Sequence, residues 1–454
     1  MNGGDVIAAI ATAWGESAIA VLRLSGAGSA GIADGFFRGR RPLASVPPRY
    51  MALGLIEERP GRVVDQVLAV RFEAGKSYTG EESVEIHCHG GITAVQRCLE
   101  LFLGAGARLA EPGEFTKRAF LSGRIDLAQA EAVLSVIRSK SDAALASSGR
   151  TLQGRLSAEI RALMDALTAF RASLEVRLDY PEEVDGQETD EIAEGVAAIA
   201  GRTRDLAERC RVGVMLSAGL KVAIIGRPNV GKSALLNALV GEERAIVTDV
   251  PGTTRDTVSA FAVWRGLAME FVDTAGIRQP GDEVEELGIA RSLKAMEGAD
   301  VCVVVVDSSQ RLTGFDRSAA GGVAKPALLA LNKSDLPGAA DESEALSIGR
   351  FERAVHTSAL TGEGVAELKD AIFALAVGDS SLEEGFTATE RMTAALNEAS
   401  QCMDCAGEAL KRSAAVDAAG ALLAEAADII ARLLGEDATE DLLDAIFSTF
   451  CVGK

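Results

Sequence analysis

Gly226-Arg227-Pro228-Asn229-Val230-Gly231-Lys232-Ser233 follows directly on the apolar run 222–225, so a strand, a glycine-rich loop and a helix start are read in succession. Gly226 and Gly231 let backbone N–H groups converge on phosphate oxygens. Lys232 can reach the outer phosphates, and the Ser233 hydroxyl stands at a helix N-terminus where Mg²⁺ binds. Asn229, Val230 and Ala234 complete the cradle, and Ala234-Leu235-Leu236-Asn237 continues it in helical register. The stretch predicts an α/β nucleotide-binding domain in the middle of the chain.

Downstream, 269–272 reads as a second buried strand ending in Asp273-Thr274-Ala275-Gly276, where Asp273 can join the Mg²⁺ shell and the Gly276 N–H can sense a γ-phosphate. Strands at 301–306 and 327–331 follow at the spacing of βα units, and the second runs into Asn332-Lys333-Ser334-Asp335. A carboxylate at Asp335 can accept from the ring N–H and exocyclic amine of guanine, whereas adenine offers no such donor pair. Leaving that acid unpaired costs about 1–3 kcal/mol or more. Ser358-Ala359-Leu360 fits a loop closing on the guanine oxygen through backbone N–H, and the order of these motifs implies GTP. Between them, Thr248-Asp249-Val250-Pro251-Gly252-Thr253-Thr254 is a hydroxyl-rich loop in which Thr254 is the natural second protein ligand to Mg²⁺. Ras-type GTPases carry a water-orienting glutamine after Asp-x-x-Gly, but here that place is Ile277. Water must be positioned by another group. Arg278 and the acids Asp282, Glu283, Glu285 and Glu286 are candidates, although the acidic run reads first as a solvated helix start. Asn229 and nearby carbonyls offer ligands for a monovalent cation, which spacing alone does not establish.

At 454 residues the chain has room for two to four domains. A formal net charge of −20 opposes a generic polycationic nucleic-acid binder. No apolar stretch of spanning length and no signal peptide is read, and seven scattered cysteines suit a reducing compartment, so a cytoplasmic protein without membrane association is expected. Segments 119–213 and 386–450 carry helical apolar spacing, as at Leu152, Leu156, Ile160, Leu163 and Leu167, and read as long helices with a turn near Pro181. The first 118 residues show short β-like runs at 19–24, 66–72 and 83–87. His87-Cys88-His89 lacks the further ligands a zinc site needs and reads as structural, and Cys402-Met403-Asp404-Cys405 reads as ordinary helix packing. The closing Cys451-Val452-Gly453-Lys454 is a poor prenylation box. It reads either as a frayed end or as a terminus that carries a thiol into a site.

Ser77-Tyr78-Thr79-Gly80-Glu81, Val84-Glu85-Ile86-His87-Cys88-His89-Gly90-Gly91, Glu111-Pro112-Gly113-Glu114-Phe115-Thr116-Lys117-Arg118, Leu127-Ala128-Gln129-Ala130-Glu131-Ala132 and the terminal tetrapeptide together resemble the MnmE (TrmE) tRNA-modification GTPases across essentially the whole chain. The resemblance implies a multidomain fold: an N-terminal α+β folate-binding and dimerisation domain (1–118), an all-helical central domain (119–213 and 380–454) and an inserted Ras-like α/β P-loop GTPase domain (214–379). It further implies a homodimer acting with MnmG, which carries FAD, on tRNA. An aminomethyl or carboxymethylaminomethyl group would be installed on carbon 5 of the wobble uridine, with a tetrahydrofolate derivative (5-formyl- or methylene-tetrahydrofolate) as one-carbon source. By motif position Arg23, Glu85, Arg124 and Lys454 would contact the folate, Arg124 standing where relatives often carry lysine. Asn229, Thr248, Val250 and Thr253 would hold K⁺, Glu285 would orient the attacking water, and Cys451 would be the reactive thiol. A ribosome-assembly GTPase switch and a helical scaffold with a regulatory GTPase are the rival readings. The ribosome-assembly switch does not call for Arg23, Cys451 or Lys454.

Overall fold

The computed structural model describes residues 4–179, 186–241, 259–273, 296–338, 340–378, 380–411 and 416–454. The chain divides into two compact units, Met1–Leu134 with Ser157–Thr168 and Ala427–Lys454, and Ser135–Leu156 with Ala169–Ala426.

The first unit is built on strands β1 (Ile7–Ile10), β2 (Ser17–Ser25), β3 (Phe37–Gly39), β4 (Ala52–Arg59), β5 (Arg62–Phe72), β6 (Ser83–Gly90) and β7 (Arg108–Leu109). They lie in the order β3-β4-β5-β6-β2-β1-β7, antiparallel except for the β1–β7 pair. Alternation along β6 sends Val84, Ile86 and Cys88 into the core with Leu22, Leu24 and Phe102, and leaves Glu85, His87 and His89 on the other face. All three expected runs are strands, each longer than its apolar pattern: β2 at both ends, β5 at its start and β6 at its end. A second small core joins Leu127 and Ala130 to Leu443, Phe447 and Phe450.

An ion network holds the start of this unit to the helix Glu114–Leu121. Arg108 donates to Asp5 at 2.8 Å and to Glu114 at 2.7 Å, and Arg118 reaches Asp5, Glu114 and Glu81 at 2.8, 2.9 and 3.1 Å. Burial alone would raise the Glu114 carboxyl, but hydrogen bonds from Arg108, the Glu111 N–H and Arg118 outweigh it and hold it below its ordinary 4.5. The Arg108 hydrogen bond, opposed by burial and helped by Arg118, likewise lowers Asp5. Folded-state values that are depressed contribute stability that is fully present above the ordinary values and lost as pH falls through the lowered ones. Glu114→Gln should therefore cost about 3 kcal/mol at pH 7, the cost of breaking a buried charged pair. Below pH 4.5 its melting curve should converge on that of the parent. Thermal melts at neutral and acidic pH test this, and parallel pH dependence of the two chains would refute it.

The second unit carries β8 (Leu220–Ile225), β9 (Ser259–Trp264), β10 (Leu267–Asp273), β11 (Val301–Asp307), β12 (Ala327–Asn332) and β13 (Ala354–Thr357), in the order β13-β12-β11-β8-β10-β9. Only β9 is antiparallel to its neighbour. Near-continuous apolar runs in β8, β11 and β12 fit strands covered on both faces. The multidomain fold is thus a folded α+β sheet unit, long helices and a doubly covered parallel sheet.

Helices occupy the expected regions, including Gly186–Ala218, Glu390–Lys411 and Val416–Leu434. The run from Leu152 to Leu167 is not one helix, however. The helix Asp142–Leu152 stops, Gly154 takes φ +81°, and a new helix spans Arg155–Asp179. Leu156, Ile160, Leu163 and Leu167 are buried, whereas Leu152 is 37% exposed because the left-handed turn rotates it out of register. Where the chain enters and leaves the parallel sheet, Arg211 donates to the carbonyls of Ala376 and Val377 at 3.3 and 3.4 Å, capping the helix Val365–Val377. Gly213 lets the entering helix close on Phe386, whose carbonyl would stand 1.6 Å from a Cβ there.

Candidate functional sites

Strand β8 ends fully buried at Ile225, and the chain then turns through the phosphate-cradle sequence into the helix Lys232–Val240. Two features make the turn specific. Asn229 adopts φ +65°, and Gly231 at φ +95° passes so close to Asn332 that a Cβ would meet its Nδ2 at 2.4 Å. Arg227 is anchored to Asp316 at 3.2 Å and Gln310 at 2.8 Å. Lys232 is buried and folds back on the loop, donating to the carbonyls of Gly226 and Arg227 at 2.6 and 2.9 Å. Those weak acceptors are ones a lysine can exchange for phosphate oxygens. Ser233 lies exposed on the first turn, as does Ala234, and its hydroxyl is a hard oxygen of the kind Mg²⁺ takes.

The guanine-side motifs converge on the same end of the sheet, outside the carboxyl ends of the strands. Asn332, at the end of β12, is buried and joins three loops. Its Nδ2 donates to the Val230 carbonyl at 2.8 Å, while its Oδ1 accepts from the Ala359 N–H at 3.1 Å and the Thr357 hydroxyl at 3.4 Å. Ser358 donates to Asp335 Oδ1 at 2.6 Å, which orients that carboxylate. Lys333 takes φ +69° and donates to the Asn229 carbonyl at 3.1 Å and to Asp307 at 2.6 Å. Sequence reading missed Asp307. Burial would raise its carboxyl, but Lys333 and two hydrogen bonds from Ser309 lower it instead. The available signal was an acid closing the all-apolar strand β11.

Thr248, Asp249, Val250, Pro251, Gly252, Thr253, Thr254, Thr274, Ala275, Gly276 and Glu285 lie outside the described residues, and so does Ile277. Asp273 closes β10 by its backbone.

The first unit carries a second cluster. Arg23 on β2 pairs directly with Glu85 on β6, donating from Nε at 3.0 Å and Nη2 at 2.9 Å to the same oxygen, Oε1. The guanidinium lies 5.3 Å from the Tyr78 ring centre and 5.6 Å from that of Phe115, two neighbours that motif matching did not single out as ligands. Burial pushes the Tyr78 phenol up, against its 2.9 Å hydrogen bond with Thr116 and the charge of Arg23. The loop bearing Tyr78 is fixed from beneath. Thr79 contacts Ser25 at 2.7 Å, Ser25 donates to Glu81 at 2.8 Å, and Ser122 donates to the Thr79 carbonyl at 2.6 Å. Arg124 reaches the Gly75 carbonyl at 3.3 Å, behind the same loop.

The closing tetrapeptide is docked here rather than frayed. Val452 bridges Pro112, the Gly113 N–H reaches the Cys451 carbonyl at 3.4 Å, and the Phe115 N–H reaches the Lys454 carbonyl at 3.2 Å. Gly453, at φ +95°, approaches strand β1 so closely that a Cβ would lie 2.4 Å from the Ile10 carbonyl oxygen. Lys454 is thereby brought to the residue whose ring lies under Arg23, and Cys451 stays exposed. Elsewhere, His89 Nδ1 pairs with Asp65 at 2.6 Å, Cys88 is buried on the opposite face, and Cys402 and Cys405 lie on the helix Glu390–Lys411. No helix among the described residues is long and apolar enough to cross a membrane.

Comparison with known proteins covers both units. Residues 127–451 match the MnmE helical domain, and residues 6–124 match the GTP-binding protein TrmE N-terminus. The tRNA modification GTPase MnmE of Geobacillus kaustophilus is 41% identical over 460 residues, covering 99% of each chain. Those of Moorella thermoacetica, 42% over 462 residues and 99% of each chain, and Bacillus subtilis, 39% over 459 residues with 99% of this chain and 100% of its own, are similarly close. With relatives of this identity along its full length and family domains matched in both units, this chain belongs to the MnmE (TrmE) family of tRNA modification GTPases.

Proposed function

We infer that the chain is a K⁺-dependent GTP hydrolase of the cytoplasm that acts as a homodimer with the FAD-dependent partner MnmG. Together they modify carbon 5 of the wobble uridine of tRNA, with a tetrahydrofolate derivative as one-carbon donor. On this reading 1–118 binds folate and dimerises, 119–213 and 380–454 form the helical part, and 214–379 is the GTPase insert. The observation that carries it is the Arg23–Glu85 pair against Phe115, whose backbone also holds Lys454. A GTPase used only as an assembly switch has no need of that arrangement.

In the GTPase, Asn229, Val230, Gly231, Lys232, Ser233 and Ala234 cradle the phosphates. Asn332, Lys333, Asp335, Ser358 and Ala359 read the base. Ser233 and Thr254 would hold Mg²⁺, and Asn229, Thr248, Val250 and Thr253 would hold K⁺; these cations supply positive charge to offset that of the phosphates. Lys232 donates to the outer phosphate oxygens, and Glu285 positions water in place of the glutamine that Ile277 replaces. In the other unit Arg23, Glu85, Arg124 and Lys454 bind the folate, and Cys451 presents a thiol.

Reconstitution with MnmG, a tetrahydrofolate, GTP and unmodified tRNA tests the proposal. In K⁺ the expected product is tRNA carrying the C5 substituent at the wobble uridine, and with Na⁺ in its place GTP turnover should fall at least about a hundredfold, the lower end of what losing one transition-state donor costs. Absence of any modified nucleoside in the K⁺ reaction would sink the proposal, and equal turnover in Na⁺ would remove K⁺ from it.

A further inference from the structure

His87 and His89 stand two residues apart on the same face of β6, yet their surroundings differ. His89 is satisfied by Asp65. His87 Nε2 is buried and has no hydrogen-bond partner among the described residues. Its nearest carboxylate oxygen is Glu85 Oε2 at 3.8 Å, beyond hydrogen-bond distance, because Arg23 draws Glu85 by the other oxygen, Oε1. Its cross-strand partners are Val21 and Leu68, neither of which carries a polar side-chain atom. The side chain as a whole keeps 24% exposure, so the ring lies at the edge of the open face while its nitrogen is shut in beside the Arg23–Glu85 pair.

Buried polar nitrogens are ordinarily satisfied, and one left unsatisfied beside a binding cluster points to a partner that arrives with the ligand. We propose that His87 is a further ligand contact: with its ring turned about the Cβ–Cγ bond so that Nε2 opens to the exposed face, it hydrogen-bonds the same tetrahydrofolate that Arg23 and Glu85 hold. This rests on the folate reading of that cluster. The chemistry matches: the pyrimidine edge of a reduced pterin presents two adjacent N–H donors flanked by acceptors, a carbonyl oxygen on one side and a ring nitrogen on the other, in one plane. A carboxylate can take adjacent N–H groups while an imidazole nitrogen close to it meets the next polar atom on that edge. Nε2 has no hydrogen-bond partner among the described residues, and an imidazole nitrogen can present either a donor or an acceptor.

The test uses the full chain and 5-formyltetrahydrofolate, with His87→Leu and His87→Gln. Leucine suits a site flanked by Val21 and Leu68 and removes a nitrogen that has no partner without ligand. The melting temperature of the unliganded His87→Leu chain should therefore not fall, while its Kd for the folate rises about tenfold or more, as for loss of one buried hydrogen bond. His87→Gln, which returns a polar atom to the side chain, should recover most of the affinity, and GTP turnover should be unchanged in both. If the parent binds folate and His87→Leu binds it within about twofold, or if His87→Leu lowers the unliganded melting temperature, the inference is wrong and the folate reading stands. If the parent itself binds no folate, the reading beneath it fails as well.

Discussion

Asp335→Asn should weaken GTP binding by about a hundredfold or more and open the site to xanthosine nucleotides. The carboxylate is held by Ser358 at Oδ1, and its other oxygen, Oδ2, has no partner among the described residues competing with a base. Guanine supplies two N–H donors to that acid, and charge-assisted hydrogen bonds of this kind contribute about 1.5–3 kcal/mol each. An amide replaces one acceptor by a donor that points at the guanine amine. Two lost or opposed contacts amount to about 3 kcal/mol or more, which is a hundredfold in Kd. Xanthine carries a carbonyl where guanine carries the amine, so the same amide donor becomes an asset. Asn332 and its contacts with Val230 and Ala359 are untouched, so the loops should stay in place. Equilibrium binding of labelled guanosine and xanthosine triphosphates measures both halves. Undiminished GTP affinity would mean that Asp335 does not read the base.

Much of this site could be read from local sequence because each motif closes a strand of a parallel sheet, and such strands announce themselves as apolar runs. The 222–225, 301–306 and 327–331 runs are β8, β11 and β12 within a residue or two. What local pattern could not show is which partners meet across the fold. Lys333 was readable as part of a base-specificity motif, but its ion pair with Asp307 arises because β11 and β12 lie side by side with Asp307 opposite Asn332. Arg23 and Glu85 are 62 positions apart, and neither stands out in its own strand until β2 and β6 pair in register. Gly154 shows the converse failure: periodicity persisted through Leu152 and Leu156 while one left-handed glycine broke the helix between them. Periodicity reports which face a residue would occupy, not whether the helix continues.

Deleting Cys451–Lys454 should abolish tRNA modification while leaving GTP turnover within about twofold of the parent. The tetrapeptide adds no residue to either large core, so its removal should not unfold the sheet unit. It does make three backbone contacts with Pro112, Gly113 and Phe115, and Phe115 in turn lies under Arg23. On the folate reading proposed above, this segment, which carries an exposed thiol and an ammonium, would act on what the cluster binds. The described residues of the GTP cradle all belong to the other compact unit. Losing the Lys454 charge and the Cys451 thiol together should remove at least about two orders of magnitude of modification rate, the usual scale for a positioned catalytic group. Gly453→Val gives the same test without shortening the chain. Its side chain would collide with the Ile10 carbonyl in a backbone conformation that valine resists, so the tail should lift while its chemistry remains. Modified uridine per tRNA and GTP turnover, measured on the same samples, separate the outcomes. Full modification by the deletion variant would exclude Cys451 and Lys454 from the reaction, and a parallel fall in GTP turnover would show that the tail supports hydrolysis rather than folate chemistry.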